Sequence, residues 1–82
     1  MVRDFDLLAE LTEASGAPGY EGRIREIVRR EFDGVVDEVR SDSMGNVVGT
    51  IRGSERPEYE VAVAAHMDEI GFMVRHVTDE GF

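Results

Sequence analysis

The sequence predicts an α/β fold in which two N-terminal helices pack on a small mixed β-sheet. Three observations carry that prediction. Apolar residues recur at helical spacing through the first 32 residues. Short β-branched runs, broken by Gly, Ser and Asn, take over from residue 35. The small apolar run Val61-Ala62-Val63-Ala64-Ala65 then reads as a strand buried on both faces, which ends at His66-Met67-Asp68. Strands are expected near 35–41, 46–52, 59–66 and 71–77.

Asp4 to Ala14 reads as the first helix. Leu7, Leu8, Leu11 and Ala14 share one face, and Asp4 suits the cap of the first turn. Gly and Pro crowd into Ser15-Gly16-Ala17-Pro18-Gly19, where the chain must turn. The second helix is expected over Glu21 to Phe32, with Ile24, Ile27, Val28 and Phe32 as its apolar stripe. Glu21 and Arg25 stand four apart in the favourable order, and Arg29 and Arg30 suit the negative C-terminal end.

Asp33-Gly34 closes that helix. Val35, Asp37 and Val39 then alternate with Val36, Glu38 and Arg40, as in a strand with an exposed side. Ser41-Asp42-Ser43-Met44-Gly45-Asn46 is the turn to a partner strand, Val47 to Arg52, making a hairpin with a loop longer than two residues. Gly49 inside the partner strand points to a bulge or a close backbone approach. After the connection 53–57 come the central strand, the His66 turn and a last apolar strand from Phe72 to Val77.

At 82 residues this is one domain or a piece of one. A domain of that size buries only ~60–65% of its unfolded surface, so its stability is marginal without partners. There is no cysteine, which excludes disulfides and thiolate metal sites. No apolar run approaches the roughly 20 residues that cross a membrane. The N-terminus has no signal-peptide pattern, so the cytoplasm is the expected location. Eighteen acids face nine bases, for a net charge of −9, and all nine bases are Arg. Nucleic acid, which needs a basic surface, is not an expected partner. An acidic, lysine-free surface suits a protein working in high salt; an arginine-rich genome would give the same composition.

The chemistry concentrates at the end of the central strand. Open α/β sheets place ligand sites at the carboxyl ends of buried strands. A neutral imidazole such as that of His66 is a good ligand for divalent metals. A ligating imidazole usually donates its other N–H to a carboxylate or carbonyl, which fixes tautomer and ring angle. Asp68, two residues on, can fold back to accept that bond, or it can ligate directly. Glu69 follows and could also serve a metal. His76, beside Arg75 within the last strand, reads as an exposed strand residue. Ser15, Ser41, Ser43 and Ser54 all stand in turn contexts, where local hydrogen bonding explains them.

Three local motifs and the order of elements resemble the N-terminal part of the tetrahedral aminopeptidases, a dinuclear-metal family of the glutamyl aminopeptidase type. The motifs are Leu11-Thr12-Glu13-Ala14-Ser15-Gly16-Ala17-Pro18-Gly19-Tyr20-Glu21, Asp42-Ser43-Met44-Gly45-Asn46-Val47-Val48, and Ala64-Ala65-His66-Met67-Asp68-Glu69-Ile70-Gly71-Phe72-Met73-Val74. The third is the most specific. The resemblance implies that residues 1–82 are the N-terminal portion of a zinc-peptidase-like catalytic domain. It implies that His66 is a metal ligand and that Asp68 supports it from behind. It further implies two divalent ions, zinc or cobalt, which activate a water and polarise the scissile carbonyl. The substrate would be a peptide that loses its N-terminal residue, and the enzyme would be a homo-oligomer. The family's remaining ligands and its Glu-Glu pair are expected beyond residue 82, and its inserted β-rich assembly domain near Gly81-Phe82. On this reading the 82-residue chain alone is inactive. The competing reading is a non-enzymatic, stand-alone acidic α/β module that binds a protein partner through open strand edges.

Overall fold

Helix α1 spans Val2–Glu13 and helix α2 spans Gly22–Phe32; they are followed by two strands, β1 (Glu38–Ser41) and β2 (Val47–Thr50). The computed structural model describes residues 2–54 and 58–82. Both helices follow from their apolar spacing. Ile24 and Ile27 lie one turn apart on α2 and are buried together with Ala14, which follows α1. Leu7, Leu11 and Met67 pack around these three. Leu8, expected on the same stripe, is exposed, which places it at the stripe's edge. Asp4 lies inside the first turn of α1 rather than at its cap, so it acts on the helix N-terminus by charge.

Glu21 precedes α2 without a side-chain cap bond to the helix. Its carboxylate turns the other way and accepts from the Gly19 N–H at 3.0 Å. It also lies 3.7 Å from the Arg25 guanidinium, the expected pair. The turn between the helices is closed by Tyr20 N–H donating to the Ala17 carbonyl at 2.9 Å.

The hairpin forms where expected, shortened at its start. The N–H groups of Val35 and Val36 donate to the Phe32 carbonyl, so these residues are spent on ending α2. Strand β1 therefore begins at Glu38, and Val36, not Val35, turns inward. The two strands pair antiparallel with Val39 opposite Gly49. Gly49 is the close approach its position suggested. A methyl group there would stand 2.8 Å from Cδ2 of Phe32 and 3.1 Å from Val36. The missing side chain is what lets Phe32, at the end of α2, lie on the hairpin.

The expected strands 59–66 and 71–77 are not formed: residues 58–82 contain no strand and no helix. The described sheet has two strands and is purely antiparallel, so the expected four-stranded mixed sheet is corrected to a hairpin. The physical reason is that a strand exists only against a neighbour. An apolar run reports a demand for burial, but not which segment meets it. Here Val61, Val63, Ile70 and Phe72 are all exposed, Phe72 completely. No helix among the described residues is long and apolar enough to cross a membrane.

Candidate metal-ligand pair at His66 and Asp68

Residues 67–69 tie the run 61–77 to the helix pair. Met67 and Asp68 are half-buried, whereas their neighbours on both sides are exposed. Met67 packs against the Ala14, Ile24 and Ile27 cluster. The Glu69 N–H donates to the Gly16 carbonyl at 2.8 Å, which ties the segment to the turn between α1 and α2. His66 and Asp68 flank this anchored methionine.

Asp68 folds back on the imidazole. Nδ1 of His66 lies 3.0 Å from the Asp68 carbonyl oxygen and 3.1 Å from its Oδ1. A carbonyl oxygen can only accept, so Nδ1 carries the proton and donates. In the neutral ring Nε2 then keeps its lone pair. The His66 side chain is 85% exposed, so that nitrogen is open to solvent and to a ligand. The donor chemistry of this one imidazole fits a divalent metal. A full ligand set is another matter: no group of three or more His, Asp, Glu or Cys side chains comes together among the described residues.

The pair borders a cavity of about 780 Å³ between α2, the hairpin and residues 62–68. Val28 and Phe32 are among the apolar residues of its lining, with Glu21, Asp42 and Asn46 among the polar ones. The Asp42 turn is tightly held. Its carboxylate accepts from the Asn46 side-chain amide at 2.8 Å and from the N–H groups of Asn46 and Met44 at 3.0 Å. These donors, the Asn46 amide foremost, hold the Asp42 carboxyl below its ordinary pKa. Gly45 sits in the left-handed region, at φ 88°, and its carbonyl accepts from Arg25 Nε at 2.9 Å. Arg25 thereby joins α2 to the hairpin turn.

The other expected candidates fall away from the pair. His76 is exposed. Glu69 contributes its backbone N–H to the fold, and the residue as a whole is exposed. Ser41 accepts a hydrogen bond from Arg29 at 2.6 Å, a structural use. Three residues were missed from sequence: Met67, Gly16 and Arg25. The signal for Met67 was available, since a large apolar side chain between two polar ones in a turn must be placed somewhere. Nothing in spacing marks Gly16 or Arg25 as partners of distant backbone atoms.

Comparison with known proteins bears on the same segment. The sequence pattern of the M42 glutamyl aminopeptidase family matches residues 45–82. A protein of Acetivibrio thermocellus named "Putative aminopeptidase" is 42% identical over 78 residues, which cover 95% of this chain and 23% of the relative. The lysyl aminopeptidase of Pyrococcus furiosus is 41% identical over 80 residues, covering 96% of this chain and 22% of the relative. The glutamyl aminopeptidase of Lactococcus lactis is 31% identical over 77 residues, 94% of this chain and 22% of the relative. The chain thus spans less than a quarter of the length of the curated relatives it matches. No solved structure matches it.

Proposed function

We propose that the chain is a member of the M42 glutamyl aminopeptidase family, a family of metal-dependent hydrolases whose pattern matches residues 45–82, and that residues 1–82 contribute one metal ligand and its orienting carboxylate to a dinuclear metallo-aminopeptidase. In this reading the residues are the N-terminal portion of the catalytic domain, up to an inserted assembly domain. The substrate is a peptide, from which the enzyme releases the N-terminal residue. His66 ligates through Nε2, and Asp68 holds the ring by accepting from Nδ1.

The observation that supports the reading most directly is the hydrogen bond from His66 Nδ1 to Asp68, which leaves Nε2 unprotonated in the neutral ring. That is the arrangement in which metal-binding histidines are usually found. A bound zinc or cobalt ion would supply Lewis acidity toward the scissile carbonyl and make water nucleophilic near neutral pH. What this chain's own residues do is narrower. The Asp68 carboxylate fixes the tautomer and raises the basicity of the imidazole. The anchored segment holds both side chains at one rim of the cavity.

A chimera tests the proposal. Residues 1–82 replace the matching segment of the Pyrococcus furiosus lysyl aminopeptidase, and metal content and peptide release are measured. The expected result is two metal ions per subunit and metal-dependent turnover, with His66→Ala losing or loosening one ion. A folded His66→Ala chimera that keeps both ions and near-normal turnover overturns the ligand assignment. The exposed apolar side chains of Val61, Val63, Ile70 and Phe72 favour the competing reading, an acidic module that docks a protein partner. A folded chimera that takes up no metal at all would turn the balance toward it.

A further inference from the structure

We propose that Met67 and Gly16 are positioning residues for the His66 imidazole: the helix pair, through them, sets the ring's tautomer and place. The inference rests on His66 being the ligand and names the device that presents it. The segment after residue 65 is pinned at two points. The Met67 side chain enters the cluster of Ala14, Ile24 and Ile27. The Glu69 N–H donates to the Gly16 carbonyl at 2.8 Å. Farther along, Gly71 runs beside Ala17, where a methyl group on Gly71 would make an ordinary contact at 3.7 Å with the Ala17 Cβ.

Gly16 lies against both Met67 and Ile24, within ordinary contact range of each. A methyl group on it would stand 3.4 Å from the Met67 carbonyl oxygen and 3.5 Å from Cγ2 of Ile24. Gly16 is itself buried, in a turn whose neighbours are otherwise exposed or half-buried. The consequence falls on the residues either side of Met67. Asp68 meets Nδ1 of His66 with both its carbonyl and its carboxylate, and residue 67, between the two, sets their relative placement. Residues 61–65 are exposed and unpaired in any strand, so they do not hold that placement. The packing of Met67 on the buried cluster and the hydrogen bond from Glu69 to Gly16 do.

The test reads the tautomer of His66 by nitrogen NMR of the 82-residue chain, without metal, at a pH where both imidazoles are neutral. The chain has only two histidines, so exposed His76 is an internal reference. A free neutral imidazole favours the proton on Nε2. His66 is expected mainly as the Nδ1–H form, and His76 as the Nε2–H form. Met67→Ala and Gly16→Val are expected to shift His66 toward the His76 pattern while the amide signals of α1 and α2 stay in place, and Met67→Leu to restore it. Should Met67→Ala lose helix content, Met67→Val, a milder form of the same change, is judged by the same criterion. A His66 spectrum that matches His76 in the unaltered chain overturns the proposal. So does an Nδ1–H signal that survives Met67→Ala with the helices intact. The readout needs no metal, so its failure is separate from a failure of the chimera to bind one.

Discussion

Asp42 carries more of the hairpin than its exposed position suggests. One carboxylate organises the whole turn by accepting three N–H groups, two of them from Asn46. Those bonds favour the charged form, so its folded pKa lies below the ordinary aspartate value. The sign follows from linkage: a depressed folded pKa stabilises the fold above the unfolded pKa, and the contribution is lost as pH falls through the depressed value. A carboxyl titration by NMR should find Asp42 ionising below the ordinary aspartate range, and Asn46→Ala should return it toward that range. Gly49 makes the second residue-scale prediction. Gly49→Ala forces a methyl group to 2.8 Å from Phe32, and the ring must move. Overpacking of this kind costs about 1–3 kcal/mol, which should appear as a lower urea midpoint. Of the site, the His66–Asp68 hydrogen bond was legible from the spacing alone, because a carboxylate two residues on can reach an imidazole. The anchor beneath it was not, because Gly16 and Glu69 meet through backbone atoms, to which the sequence is silent.

Among the elements, the helices and the hairpin were legible because their periodicity and turn residues are local. The runs 59–66 and 71–77 were read as strands from the same kind of evidence and are not strands here. Their pattern states that these residues need covering, and pairing is a long-range fact. Between α1 and α2 the docking is reinforced by Arg30, whose guanidinium meets both oxygens of Glu10 at 2.6 and 2.8 Å. The same guanidinium bonds Glu31 at 3.0 Å. The Arg30 hydrogen bonds hold the Glu10 carboxyl below its ordinary value, and Glu10 in turn holds the guanidinium charged. Both groups are exposed, so salt screens the pair and its contribution to stability is small. Glu10→Gln should lower the thermal midpoint slightly at low salt and not measurably at high salt. The pH sign matches that of Asp42: the pair helps above the ordinary glutamate pKa and is lost as Glu10 protonates at a lower pH. A Glu10→Gln effect that grew with added salt would show that the clamp is not electrostatic.

For the whole molecule, the decisive facts are how little is buried and how few ligands converge. The three buried apolar residues form one small cluster between the helices. The radius of gyration is 17.2 Å, against about 12 Å for a compact chain of this length. A chain so extended holds most of its apolar residues from 61 to 77 away from any core. It also cannot bring distant side chains to one point, and a catalytic metal needs several: about three protein ligands each in the known zinc sites. His66 offers one nitrogen, and Asp68 is engaged with the ring behind it. No third donor joins them among the described residues. The 82-residue chain should therefore release no amino acid from a peptide substrate, with or without added zinc or cobalt. Electrostatics does not rescue it: a net charge of −9 draws cations to the surface, but a diffuse cloud of ions does not polarise a carbonyl held at one place. The check is a chromogenic amino-acid amide incubated with the purified chain and either metal, beside a His66→Ala control prepared identically. Turnover that depends on metal and disappears with His66→Ala would mean that this turn assembles a working site without the ligands of a larger domain.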